Sequence, residues 1–371
     1  MKICYIADAV SIHIQRWMNY FVQKGHEVHL ITLRVGEGYF DGVRLHLLPM
    51  PIPRSWPGSG YINALAWRIQ TRRLVRKMKP DIINAHSITT HGHLAIASGF
   101  HPVVLTAWGS DILIYPKKRR LYKFLVQYAL KRAELITCDT EHIQKPLIEL
   151  AADPQKINIV YHGTNTQKFH PGQKDKRLRE ELGIFDSPTV ISLRRLSPIY
   201  DIESLITAVP LVLKEVPEAK FLLVEKGSQE VELKELAKSL GVSDSVKFVG
   251  WVPENELPRY LTSADIYVST SLSDAGLAAS TAEAMACGLP VIITDFGDNR
   301  KWVQDNVNGY IIPLRSPQAL SSKVIHLIRN KDLREKFGQI NRKIIEERNN
   351  WEVEMGKMGK LYEEVIERCK K

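Results

Sequence analysis

The sequence predicts an α/β protein of two domains, each a parallel sheet covered by helices. Three observations lead there. Short apolar runs that read as buried strands alternate with amphipathic helical stretches along nearly the whole chain. The alternation breaks once, after Phe169-His170-Pro171-Gly172, into the polar charge run QKDKRLREELG, and restarts with an apolar strand at Thr189. At 371 residues with 44% apolar content, the chain is large enough to bury two cores.

Taken in order, residues 2–7 read as a strand, 14–24 as a helix stopped by Gly25, and 27–32 as the next strand. A helix over 61–78 leads to strands at 81–85 and 103–106. A helix over 115–132 precedes strands at 133–138 and 157–161. These strands are apolar without alternation, as a sheet buried on both faces requires. The second half repeats the grammar: strands at 189–193, 220–224, 246–250 and 265–269, with helices over 204–215, 230–240 and 256–262. A loop and helix follow, ending at Cys287-Gly288-Leu289-Pro290, where Gly and Pro stop the helix, and 291–294 restarts as a strand. The tail, 317–371, is helix-rich. The expected domains are 1–171 and 172–350, with 351–371 a helix that crosses back to the first. Open parallel sheets bind ligands beyond the carboxyl ends of their strands, so two such sheets are expected to enclose one cleft.

Charge is distributed unevenly. Residues 1–171 carry 22 Lys and Arg against 11 Asp and Glu, whereas the remainder carries 29 against 30, so the net +10 comes from the first half. Basic residues concentrate in 68–79 (RIQTRRLVRKMK) and 117–123 (KKRRLYK). Such patches attract an acidic membrane surface or an anionic acceptor, and read equally as a solvated basic face. Nucleic acid is not an expected partner, because no aromatic platform or groove-reading motif accompanies the charge. Cys4, Cys138, Cys287 and Cys369 are scattered, as reduced packing residues would be. No 18-residue apolar run and no basic-then-apolar leader occurs, so a cytoplasmic protein is expected, held peripherally at the inner face of the membrane where the basic patches engage it.

The segment 268–293, VSTSLSDAGLAASTAEAMACGLPVII, together with 193–198 (LRRLSP), 106–111 (TAWGSD) and 162–165 (HGTN), resembles glycosyltransferase family 4. That resemblance implies GT-B architecture, two facing Rossmann-like domains with a central cleft. It also implies retaining transfer of a sugar from a nucleoside-diphosphate donor to a glycan, a lipid-linked acceptor or a small polar acceptor. Glu283 matches the family carboxylate that binds the nucleotide ribose, where one carboxylate accepts from both hydroxyls. Arg195 falls on the family arginine that faces the diphosphate, and its fixed guanidinium fork suits two phosphate oxygens. Arg194 replaces a family glycine, and Tyr200 stands near where relatives place a phosphate-binding lysine, which makes Arg194 a substitute cation. The family's first acidic position falls on Ala275. Asp274 is a substitute for that carboxylate or a loop cap, and the backbone from Gly276 to Ala279 is a second source of donor contacts.

In the first domain, Ser11 with adjacent backbone N–H groups is expected on the phosphate side, and His13 at an acceptor or phosphate contact. Trp108 occupies a family histidine position. Its ring does not exchange protons but stacks on an apolar sugar face, while Asp111 orients an acceptor hydroxyl or caps the next helix. Catalytic assignments thus fall on Arg195, Trp108 and Asp111, donor contacts on Ser11, Arg194, Arg195, Asp274, Gly276 and Glu283, and acceptor contacts on His13, His86 and Asn299. His162 and Asn165 hold the polar positions of a loop turned by Gly163. No DxD sequence marks a diphosphate-bound metal, so metal-independent transfer with no further cofactor is expected. A nucleotide-sugar epimerase and a non-catalytic nucleotide-sugar-binding protein are the competing readings.

Overall fold

The computed structural model describes residues 1–35, 40–53, 55–56, 59–118, 120–274 and 276–370. Ala275, and Arg119 within the 117–123 run, lie outside the described residues. The chain divides into two compact units, Met1–His162 with Glu354–Lys371, and Gly163–Val353.

The first unit runs β1 (Lys2–Ile6), α1 (Ile12–Gln23), β2 (Glu27–Thr32), β3 (Val43–Leu47), α2 (Ser59–Met78), β4 (Ile82–His86), α3 (Thr90–Ala97) and β5 (Val103–Thr106). It continues through α4 (Ser110–Leu113), α5 (Tyr115–Lys118), α6 (Arg120–Arg132), β6 (Leu135–Cys138), α7 (Glu141–Glu149) and β7 (Ile157–Ile159). Its seven strands pair in parallel in the order β3-β2-β1-β4-β5-β6-β7. The order reverses between β1 and β4, and there the loops leaving the two strands diverge and open a crevice. β4, β5 and β6 are buried at every residue. β3 escaped the sequence reading because it is the edge strand and half polar, VRLHL, with an apolar signal too weak to separate from a loop. The helices α3 and α7 also went unread. α3 carries Gly92 and two histidines, and α7 contains Pro146, so neither presents a clean helical period.

The second unit runs α8 (Lys176–Glu181), β8 (Thr189–Ser192), α9 (Ile202–Leu213), β9 (Lys220–Val224), α10 (Glu230–Ser239), β10 (Val246–Gly250), α11 (Leu257–Thr262) and β11 (Ile266–Ser269). Then follow α12 (Ala279–Ala286), β12 (Val291–Thr294), α13 (Asn299–Trp302), β13 (Gly309–Ile312), α14 (Pro317–Arg329) and α15 (Lys331–Arg348). Six parallel strands take the order β10-β9-β8-β11-β12-β13, reversing between β8 and β11. Its core sets Val190, Phe221, Val268, Ile292 and Tyr310 of the sheet against Leu205, Val209 and Val212 of α9 and Leu320, Val324 and Leu327 of α14. Gly288 follows α12 with φ +77°, the left-handed turn that the Cys287-Gly288-Leu289-Pro290 stop implies.

The last helix, α16 (Trp351–Lys370), begins in the second unit and continues in the first, where Met355, Met358, Tyr362 and Val365 are buried. Residues 163–171 belong to the second unit because side chains tie them there. Arg342 of α15 donates to the carbonyls of Thr166 at 3.0 Å and Phe169 at 2.6 Å, and Thr164 forms a bridge with Asn350. Gly163 takes φ +70°, and a Cβ there would lie 2.7 Å from the Trp351 Cα, so no other residue fits this turn without displacing backbone.

Candidate functional site

In the first unit, five strand ends deliver one cluster of side chains. His13 opens α1 beyond β1, His86 ends β4, Trp108 follows β5, Asp139 follows β6 and His162 follows β7. All leave their strands at the carboxyl end, and the tilted or stacked rings meet there. The His13 and His162 rings stack at 4.9 Å, Trp108 and His162 at 5.0 Å, and Trp108 lies 5.5 Å from His13 and 5.7 Å from His86. Of the residues anticipated from sequence, the structure therefore brings His13, His86 and Trp108 together.

His86 is buried at 2% exposure, with the edge of Trp17 at 4.9 Å and Tyr5 at 5.7 Å, and neither ring nitrogen has a hydrogen-bond partner. Burial, reinforced by His91, His162 and His13, pushes its ionisation well below the ordinary 6.5, so this imidazole is neutral. Its carbonyl accepts from His91 Nδ1 at 2.7 Å, which places the proton of neutral His91 on Nδ1. A cavity of about 610 Å³ opens beside this wall, lined by Asp8, Ser11, His86, Trp108, Tyr115 and Tyr122 among others. Arg34, also on its wall, forks onto the Asp8 carboxylate at 3.0 Å to both oxygens. Burial alone would raise the Asp8 carboxyl, but the Arg34 bonds outweigh it and hold the group below its usual range.

Asp111 is placed differently from an acceptor-orienting carboxylate. It is 1% exposed; one oxygen accepts the Trp108 N–H at 3.0 Å and the other the Ile88 N–H at 2.8 Å, so it staples the loop after β5 to the loop after β4. Burial raises its ionisation despite these bonds. Its work is to fix the Trp108 and Ile88 backbones; it lies within α4 and makes no side-chain cap to that helix, whose N-cap position is Gly109.

Asp139 was missed by the sequence reading. Its carboxylate lies 3.0 Å from His162 Nε2. Burial would raise this carboxyl, yet the charge and hydrogen bond of His162 hold it below the ordinary range, so Asp139 is ionised. The signal was present in one form: Asp139 directly follows a buried strand and precedes the Thr140 cap of α7, whose hydroxyl accepts the His142 N–H. A polar residue at that point of an open α/β sheet faces the crevice.

In the second unit, the anticipated donor residues lie on the loops that leave β8 and β11, the two strands beside the reversal. Arg194 is buried and bonds Asp274 at 2.5 Å and Ser280 at 3.3 Å, with the Tyr200 ring 4.3 Å from its guanidinium. Arg195, one residue on, is exposed. Both lie in the loop beyond β8, which ends at Ser192, and that loop buries the one and exposes the other. The structure thus joins Arg194 to Asp274 and does not bring Arg195 to that pair. Each partner answers the other's charge, so Asp274 is not an unengaged carboxylate. Gly276 stands in the loop before α12, and Glu283 lies buried on that helix. Asn299 is 4% exposed and donates through Nδ2 to the Thr294 carbonyl at 2.8 Å, closing the turn between β12 and α13 rather than presenting its amide to a ligand.

Two family models match the sequence: Glycosyl transferase 4-like over residues 2–140 and Glycosyl transferases group 1 over residues 174–344. Spore coat protein SA of Bacillus subtilis is 28% identical over 221 residues, 56% of this chain and 59% of that protein. The N-acetyl-alpha-D-glucosaminyl L-malate synthase of Bacillus anthracis is 22% identical over 355 residues, 93% of this chain and 91% of that protein. The chain therefore spans about three fifths of the first relative and nine tenths of the second. Among solved structures, Anabaena HepE in complex with UDP is similar with a TM-score of 0.83 at 18% identity, covering 98% of this chain and 100% of that one. At that identity the likeness carries the fold.

Proposed function

We propose that this chain, which belongs to the group 1 glycosyltransferases of family 4 and has their GT-B fold, transfers a sugar from a nucleoside diphosphate to an acceptor hydroxyl. The observation that carries the proposal is topological. In both sheets the anticipated ligand-facing residues lie at the carboxyl ends of strands at or beside the order reversal, where open α/β sheets take nucleotides and their partners. The second unit binds the donor: Glu283 meets the ribose, and Arg195, with Arg194 behind it, faces the diphosphate. The first unit binds the acceptor in the cavity between Ser11, His86 and Trp108. That the Anabaena relative was solved with UDP supports a uridine nucleotide as the first donor to test.

The reaction proposed is retaining and needs no resident metal. As the acceptor oxygen approaches the anomeric carbon, the bond to the β-phosphate breaks with its electron pair on the phosphate, and that oxygen takes the acceptor proton. The protein aligns both substrates and stabilises phosphate charge, and no covalent sugar-enzyme intermediate forms.

The acceptor side carries a surface suited to an anionic membrane. Ile114, Leu121 and Phe124 are exposed around α5 and α6 beside Lys117, Lys118 and Lys123, and Ile62 and Leu65 are exposed on α2 beside Arg68 and Arg72. α2 and α6 both pack on α3, which places these apolar and basic side chains on neighbouring helices. Aromatic and aliphatic side chains interleaved with lysine and arginine bind anionic interfaces. Tyr115 and Tyr122 belong both to this surface and to the cavity wall, which supports an acceptor presented from a membrane. Among the described residues no helix is long and apolar enough to cross one.

A panel of nucleotide sugars against glycan, lipid-linked and small polar acceptors, read by product mass, tests the proposal. A glycosylated product establishes transfer. An isomerised sugar without transfer would favour an epimerase, and binding without turnover a non-catalytic protein.

A further inference from the structure

The segments that follow β1 and β4, the strands flanking the order reversal, line the first unit's cavity, with Asp8 and Ser11 on the one and His91 on the other. His91 is the second residue of α3 and stands half-buried on the cavity wall. Its Nδ1 donates to the His86 carbonyl at 2.7 Å, and Nε2 has no hydrogen-bond partner among the described residues. Unlike both ring nitrogens of His86 and Nε2 of His93, His91 Nε2 is not closed to solvent. Burial lowers the ionisation of His91 below the ordinary 6.5, and a place in the first turn of a helix also disfavours a cation. The neutral ring, with its proton held on Nδ1, therefore presents a lone pair at Nε2.

The charge on this wall is matched internally. Among the described residues its carboxylate and its guanidinium are Asp8 and Arg34, and they pair with each other. They act on His91 in opposite senses, Asp8 favouring the protonated ring and Arg34 opposing it. A carboxylate or phosphate lodged here would face the His91 lone pair and would have to draw Arg34 from Asp8. A hydroxyl donates to the lone pair and disturbs neither charge. The rest of the wall suits a sugar ring, since Trp108, Tyr115 and Tyr122 supply aromatic rings while Ser11 and Thr90 supply hydroxyls.

We propose that His91 is a specificity-determining residue of this cavity, its Nε2 accepting a hydrogen bond from a hydroxyl of an uncharged sugar ring on the acceptor. The assignment rests on the sugar-transfer reading and deepens it by naming the acceptor class. The hydroxyl that His91 reads is not the one that is glycosylated. A hydroxyl carries one proton, and in the transfer the reacting oxygen gives its proton to the leaving phosphate, so a second hydroxyl of the same ring meets His91. His91 thus selects among acceptors by the position of that second hydroxyl, and the His86 carbonyl holds the imidazole that reads it.

The test takes the donor–acceptor pair that the product-mass panel identifies and adds deoxy analogues of the acceptor, each lacking one hydroxyl. The parent is expected to lose about tenfold or more in kcat/KM on one analogue that keeps the reacting hydroxyl. His91→Phe is expected to lose a similar factor on the full acceptor and little further on that analogue, because variant and analogue remove the same bond. His91→Gln keeps an amide that donates to the His86 carbonyl and an oxygen that accepts. Its ratio between the full acceptor and that analogue is expected to lie between one and the parent's, with the ratios for the other analogues unchanged, and it decides the matter alone if the Phe variant does not fold. UDP affinity, the control on the second unit, is expected to stay unchanged in both. Losses that multiply alike on every analogue mark a structural role and overturn the assignment, as do unchanged rates in both variants. A product in which the acceptor is a hydroxy acid rather than a sugar overturns the ligand class. A parent protein that forms no product with any pair removes the transfer reading itself, whereas an active parent with either of those results removes only this assignment.

Discussion

Arg194 and Arg195 differ in environment far more than their adjacency suggests, and their substitutions separate stability from turnover. Arg194→Ala strands the Asp274 carboxylate, whose side chain is 14% exposed, and removes the cation from the Tyr200 face. Breaking such a pair costs about 3 kcal/mol. Arg195→Ala touches an exposed side chain and is expected to leave stability within about 0.5 kcal/mol, yet to lower product formation roughly 10²-fold through lost phosphate stabilisation. Urea melts and product assays on both variants check this, and equal melts would refute the division. His86 supplies a pH prediction. Its folded ionisation lies below the ordinary 6.5, so between the two values the unfolded chain binds the extra proton. Its contribution to stability is complete above about 6.5 and is lost as pH falls through that region. His86→Phe is expected to reduce the drop in urea midpoint between pH 7.5 and 5.5, and an unchanged drop would remove His86 as its source.

Among elements, α5 and α6 expose what a monomeric surface ordinarily hides. Leu121 is 55% exposed and Phe124 61%, on helices that also carry Lys117, Lys118 and Lys123. Co-sedimentation with vesicles of phosphatidylglycerol in phosphatidylcholine is expected to exceed that with phosphatidylcholine alone and to weaken as salt rises through a Debye length comparable with the patch. Leu121→Ser with Phe124→Ser is expected to lower binding at every salt concentration, whereas Lys117→Glu with Lys118→Glu should abolish only the preference for anionic lipid. Binding unaffected by either pair places the membrane contact elsewhere.

For the molecule as a whole, α16 matters most, because the end of the chain completes the core of the unit that holds the chain's start. Tyr362 is fully buried against Phe21, at 5.3 Å between rings, with its hydroxyl 3.4 Å from that of Tyr5. Tyr362→Ala is expected to cost about 3 to 5 kcal/mol, the range for emptying a buried aromatic site. Removal of residues 354–371 should leave the first unit without a cooperative melt while the second retains its own. Calorimetry resolves these transitions, and a first-unit melt unchanged by truncation would contradict the packing.

The sequence by itself determined the alternation of strand and helix, the α/β class, the GT-B fold through family resemblance, and the loops on which a site would form. Buried parallel strands and helix stops such as Gly288 write themselves in local periodicity and turn chemistry, and a strand's carboxyl end is known once the strand is. Which side chains meet at those ends is a property of strand order, and only the tertiary structure decided it. Asp139 and His162 are 23 positions apart and become partners because β6 and β7 are neighbours in the sheet. Asp111 looks like any loop carboxylate until two N–H groups from separate loops converge on it. Arg194 and Arg195 are equivalent as letters, and the loop beyond β8 buries one against Asp274 and leaves the other exposed. Long-range pairing leaves no local period, and so no sequence pattern carried it.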